Sequence, residues 1–233
     1  MINDVLTELP LIWVVLTSGF FLAAVWLSQK AKGSPLLQPV MVSSLVVIIV
    51  LVITDTPYVE YADATSIFSY FLGPAIVALA VPLYENLGKV KSLLNVLLLS
   101  SLMGGVIAPL SAMTIAYVMG VELPVILTLA TKSVTTPIAL SVAEEVGGYP
   151  SLAAVLVLLT GAIGCIMAPV VFKMMGVDDE PTKGYSLGVV SHGFGTAYAF
   201  QYGAAAGAFA GLGMGITGAL SAFFLPLLTM LFT

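Results

Sequence analysis

The chain has 233 residues, 60% hydrophobic and only 8% charged, with a mean hydropathy of +1.12 and a net charge of −5. Soluble domains carry roughly a quarter charged residues, so a water-soluble fold is excluded, and the acidic balance without a single arginine excludes a nucleic-acid binder. Apolar runs long enough to cross about 30 Å of hydrocarbon recur without the alternation of barrel strands, which leaves an all-α, polytopic membrane protein.

Eight helical segments are expected, at about 10–28, 36–53, 66–84, 92–119, 123–143, 151–172, 185–206 and 208–232, paired as 10–53, 66–119, 123–172 and 185–232 in one transmembrane domain over 1–233. The start carries Asp4 and Glu8 and no lysine, so it lacks the positive beginning of a signal peptide and its first apolar run is expected to be retained. Lys30 and Lys32 follow the first segment, and Lys89 and Lys91 follow the third, whereas the intervening loop carries Asp55, Glu60 and Asp63. The positive-inside rule puts the two lysine loops in the cytoplasm and the N-terminus outside. Beyond Lys132 the charges fit either seven or eight crossings, depending on whether one broken segment re-enters instead of spanning.

Three segments are interrupted: the third at Gly73-Pro74, the fifth at Thr135-Thr136-Pro137, and the seventh at Gly193-Phe194-Gly195-Thr196. Proline removes a backbone donor, and a break of this kind persists in hydrocarbon only where protein, water or ligand meets the freed groups. Each interrupted segment precedes a longer one. "MGGVIAP" (103–109) matches "IGCIMAP" (163–169), and "SYFLGPA" (69–75) echoes "SHGFGTA" (191–197), so internal repeats are expected. Gly203, Gly207, Gly211 and Gly215 recur every four residues and would let a neighbouring helix approach closely.

Lys132 is the sharpest residue. An ionisable group near mid-membrane costs roughly 2.5–3.5 kcal/mol and normally faces a bundle interior or wet cavity. The bland alternative is a lysine that snorkels or pairs with an acid, although Glu144 lies too far along a helix to pair with it. Ser133, Thr135 and Thr136 add donors beside it and would satisfy carbonyls freed at Pro137. His192, the only histidine, precedes the third break, where it would bind substrate, carry a proton, or be held by a backbone carbonyl. Broken helices converging near the midplane are how transporters hold small ions. The expected substrate site therefore comprises Lys132, Ser133, Thr135 and Thr136, with Gly73, Pro74, His192, Gly195 and Thr196 from the other two breaks. No nucleophile–base set, ATP-binding loop or metal cluster is present, and Cys165 is single, so neither enzyme activity nor a cofactor or metal is expected.

The stretches "FLGPAIVALAVPLYENL" (71–87), "ATKSVTTPIAL" (130–140) and "SHGFGTAYAF" (191–200), in this order, resemble the LrgB/CidB family and its YohK-like bacterial inner-membrane members. That resemblance implies two functions. One is a holin-like or antiholin-like protein that works with a small LrgA/CidA partner on murein hydrolase activity and lysis. The other is a transporter of small carboxylates, as in the plant plastidial glycolate/glycerate relative and in bacterial members linked to pyruvate. A homodimer is expected on the general grounds that such membrane proteins commonly associate.

Overall fold

A computed structural model describes residues 11–31, 37–78 and 80–232 and contains eleven helices, with no strand among the described residues. The chain is an all-α polytopic membrane protein, divided into a unit over 1–78 and a larger one over 79–233. In the first unit α1 (Leu11–Lys30) packs against α2 (Pro39–Ile53) and α3 (Tyr58–Ala64). The buried Trp13 meets the Tyr61 ring edge-on at 5.5 Å, and the Tyr61 hydroxyl bonds Thr17 at 3.1 Å. Lys30 ends α1 over the Trp26 ring, where a cation suits the negative helix end. Asp4, Glu8 and Lys32 lie outside the described residues.

The last helix of this unit, α4 (Ile67–Ala78), corrects one expectation. It runs on through Gly73 with Pro74 inside it, so the interruption expected at that dipeptide is absent. Transmembrane helices tolerate an internal proline where neighbouring groups re-satisfy the freed carbonyl, and Pro109, Pro169 and Pro226 likewise sit inside long helices.

The second unit contains α5 (Ala80–Glu85), α6 (Leu87–Val118), α7 (Leu123–Leu129), α8 (Thr136–Glu145), α9 (Pro150–Met175), α10 (Glu180–Ala199) and α11 (Ala204–Thr229). Prolines in the first turn start α7, α8, α9 and α10, where the missing N–H costs nothing. Helix α9 stops at Gly176, whose φ of 66° caps it in the left-handed region. Helices α6, α9 and α11 are long and apolar enough to cross a membrane. Their exposed leucines, isoleucines and valines are the surface a bilayer covers.

The two interrupted segments do not cross. The segment holding α7 and α8 turns over Ala130–Thr135, and the Tyr149 N–H, 21 residues beyond Thr128, donates to the Thr128 hydroxyl at 2.8 Å. A continuous helix would separate those residues by roughly 32 Å. The segment therefore folds back on itself as a re-entrant hairpin, the chain after α8 returning beside the inner end of α7. Helix α10 is another. His192 alone leaves helical geometry (φ 41°, ψ −122°), and the arm after it folds back onto the arm before it. A Cβ on Gly195 would collide with the Leu187 carbonyl, although eight helical residues span roughly 12 Å. At the base, Gly203 abuts the Glu180 carboxylate, and Lys183 lies over the Tyr202 ring at 5.4 Å.

The hairpins come from opposite ends of the unit. Lys89, at the start of α6, bonds Asp179 at 2.6 Å, which puts the α9–α10 loop at the same end as Lys89 and Lys91. Lys173 and Lys183 belong to that end, whereas Glu122, Glu144 and Glu145 flank the α7–α8 hairpin at the other. The positive-inside rule makes the lysine end cytoplasmic. The α10 hairpin therefore enters from the cytoplasm and the α7–α8 hairpin from outside, and the second unit crosses the membrane three times, by α6, α9 and α11. The charges left eight crossings or, with one broken segment re-entrant, seven; re-entry is found in both broken segments of this unit, 123–143 and 185–206.

Candidate functional site

The α7–α8 hairpin turns at the lysine. Ala130 and Val134 are buried against Val157 and Ala153 of α9, which anchors the turn while Lys132 is only partly buried. Its ammonium donates to the Ser133 hydroxyl at 3.0 Å, leaving two N–H groups for another partner. Thr135 caps α8 by position without a side-chain bond, and Thr136 and Pro137 begin the helix. Pro137 therefore frees no mid-helix carbonyl, and the hydroxyls of Thr135 and Thr136 are not used as expected. The positive N-terminal end of α8 instead opens beside Lys132, which suits an anion.

The cytoplasmic hairpin turns at His192, about 18 Å from the start of α10 at 1.5 Å per residue. That is near mid-membrane, and one residue earlier than the expected break at Gly193–Thr196. Positive φ outside the small left-handed region is costly for a residue with a Cβ, on the order of 1–3 kcal/mol. Thr196 closes the reversal, its buried hydroxyl donating to the His192 carbonyl at 2.9 Å. Gly195 lets the two arms touch. Both residues build the hairpin.

His192 is 4% exposed and Ser191 is fully buried, yet neither the Nε2 of the ring nor the Ser191 hydroxyl has a hydrogen-bond partner. The two hairpin tips seat one turn apart on α9, Ala130 and Val134 sharing a buried cluster with Val157, and His192 lying beside Gly161. Beneath the tip, α9 is notched. A Cβ at Gly161 would lie 2.9 Å from His192 Cε1, and one at Gly164 would collide with the Ser191 hydroxyl. On the other side Gly104 of α6, the partner of Gly164 in the internal match, leaves room for Val189.

The second unit carries Lys132 and Ser133, bonded to each other, on one hairpin, with Thr135 and Thr136 at the adjoining helix start, and His192 on the other hairpin. Gly73 and Pro74 belong to α4 of the first unit. Ser191, Gly161 and Gly164 were missed. The match of "MGGVIAP" with "IGCIMAP" already marked Gly164, but glycine is common in membrane helices and carried no chemical signal there. The glycine face expected at 203–215 holds in part, with Gly203 against the Glu180 carboxylate and Gly207 against the Phe200 ring. Gly215 meets nothing within 4 Å, and the close contact is made by Ala206 and Ala210 against Gly184 and Gly188 of α10.

Two cavities adjoin the cytoplasmic hairpin. One of about 380 Å³ lies between α6 and the first arm, is walled mainly by Leu93, Leu97, Val189 and Phe209, and holds none of the tip residues. The other, of about 260 Å³, runs between α9 and the first arm and ends at Gly164 and Ser191, reaching the tip from the cytoplasmic half.

The LrgB-like family model matches residues 17–231. Among named relatives, the Holin-like protein CidB of Staphylococcus epidermidis is 32% identical over 204 residues, covering 88% of this chain and 89% of the relative. CidB of Staphylococcus aureus is 31% identical over 222 residues, 95% of this chain and 96% of its own length. YxaC of Bacillus subtilis is 31% identical over 224 residues, 96% and 97% of the two chains. No solved structure matches. With nearly its full length aligned to these relatives and two opposed hairpins between apolar spans, the chain is a multi-pass bacterial membrane protein that belongs to the LrgB-like family.

Proposed function

We propose that the chain carries small carboxylates across the bacterial inner membrane, binding the anion where the two hairpin tips meet. The observation behind this reading is a pair of hairpins from opposite membrane faces, one bearing Lys132 and the other His192, seated one turn apart on α9. A lysine whose only side-chain hydrogen bond goes to its neighbour needs an anion in so apolar a setting. The α8 N-terminus adds partial positive charge to it, and hairpins from opposite faces give one site two routes of access. Uptake of labelled glycolate, glycerate or pyruvate into proteoliposomes tests it. Lys132→Ala is expected to lower uptake at least tenfold, as about 1.4 kcal/mol of lost ion pairing suffices for that. Unchanged uptake by that variant would remove Lys132 from the site.

A second reading is favoured by the names of the relatives. As a holin-like protein, the chain would act with a small LrgA/CidA-type membrane partner on murein hydrolase activity, as a homo-oligomer or in a joint assembly. Absence of uptake with and without such a partner, together with altered murein hydrolase activity on co-expression, would favour this reading over transport.

A further inference from the structure

The first arm of α10 is held in opposite ways on two of its flanks. Toward α11 there is no slack. A Cβ on Gly184 or Gly188 would overlap the carbonyl of Ala206 or Ala210, and one on Gly213 would lie 2.7 Å from the Tyr185 carbonyl, so the two backbones touch directly. Toward α6 the arm faces the gap of about 380 Å³ walled by Leu93, Leu97, Val189 and Phe209.

Two polar ties cross that gap. At its mouth Lys89 meets Asp179 at 2.6 Å. Deeper in, the Tyr185 hydroxyl donates to the Leu97 carbonyl at 2.6 Å and bonds the Ser101 hydroxyl at 2.7 Å. A hydroxyl has one proton, so Ser101 must be the donor to Tyr185, and Thr217 of α11 donates to Ser101 at 3.0 Å. One turn further along α6 the seam closes: a Cβ on Gly104 would lie 2.9 Å from Val189, and one on Gly105 3.0 Å from Phe224 of α11.

We infer that the cytoplasmic half of α6 and the α10–α11 pair part along this gap, pivoting at Gly104 and Gly105, and that the Tyr185 hydroxyl is the latch that holds the seam shut. Separating α10 from α11 would forfeit close-packed contact along both helices, whereas across the gap that contact is already missing. The outer tie is an exposed ion pair and adds little. Opening admits water from the cytoplasm as far as Val189, two residues short of Ser191 at the hairpin turn.

Maleimide labelling of leucine-to-cysteine variants in membranes tests this, in a Cys165→Ser background. Leu97→Cys reports on the α6 seam and Leu187→Cys on the α9 side of the same arm; both leucines are at most 5% exposed, so either cysteine needs an opening to react. Tyr185→Phe keeps the ring and removes only the hydroxyl, while the Leu97 carbonyl keeps its bond from the Ser100 hydroxyl at 3.1 Å. That change should speed labelling of Leu97→Cys about fivefold, the factor one net hydrogen bond sets on an opening equilibrium, and leave Leu187→Cys unchanged. Lys89→Gln, which cuts the outer tie without touching the α10 cap, should speed the same site by a smaller factor. An unmoved Leu97→Cys rate in Tyr185→Phe, or equal rises at both cysteines, would overturn the latch. So would a Leu97→Cys that labels in no background although the denatured protein labels fully. The labelling reads motion alone, so the latch stands or falls separately from carboxylate transport.

Discussion

Single atoms decide most at the turn of the cytoplasmic hairpin. Ser191 and Gly164 are a pair: the hydroxyl occupies the space a methyl on Gly164 would take, whereas Ser191 Cβ stands 3.4 Å away, an ordinary contact. Gly164→Ala should therefore lower thermal stability in detergent or nanodiscs by an amount typical of overpacking, about 1–3 kcal/mol. Adding Ser191→Ala should recover most of it. A double mutant no better than the single would show that the notch does not seat this hydroxyl. This contact was not legible in the sequence, because it joins residues 27 apart by a fold-back that no local pattern encodes. Lys132 was legible, since a lone cation in an apolar run is anomalous whatever surrounds it. Pro137 was legible as a break yet misread in detail, because the same residue that interrupts a helix also begins one.

The elements show why eight apolar segments do not make eight crossings. Hydropathy records that a segment avoids water, and a hairpin turned within the bilayer avoids it as fully as a span does. Direction is carried by contacts such as Tyr149 to Thr128 and Lys89 to Asp179, which lie outside any window of sequence. Cysteine labelling separates the alternatives. In a Cys165→Ser background, Glu122→Cys and Glu145→Cys should react with an impermeant maleimide from the same, external face, and Asp178→Cys only from the cytoplasmic face. Reaction of the first two from opposite faces would make 123–145 a span. The first break misled for the converse reason: Gly73-Pro74 has the composition of an interruption, but α4 runs through it.

For the molecule as a whole, charge sets orientation more than stability. Asp179 ties α6 to the cytoplasmic hairpin, and its carboxyl is held down at about 2 by the hydrogen bond from Lys89, then by Thr182, whose N–H and hydroxyl it also accepts while capping α10. A depressed carboxyl contributes stability that is complete above its ordinary value near 3.8 and fades as pH falls toward 2. Both partners are over two-fifths exposed, so the contribution is small, about 0.2–1 kcal/mol. Asp179→Asn should lower the melting temperature slightly at neutral pH, and the gap from wild type should close in acid; a gap that persists at pH 2 would assign the effect to lost packing.

The two hairpins also shape the electric field. The cytoplasmic tip stops about 18 Å along α10, near mid-membrane, so water following the two hairpins would bring the bulk potential of each compartment deep into the hydrocarbon. The resting voltage would then fall across the thin partition between the tips instead of across the full hydrocarbon thickness. Moving one elementary charge through that partition draws on nearly the whole membrane potential, about 2.3 kcal/mol per 100 mV. A fixed lysine cation at such a place makes net charge movement depend on whether its countercharge travels, so a few ångströms of displacement at the tips would have the electrical effect of a full crossing.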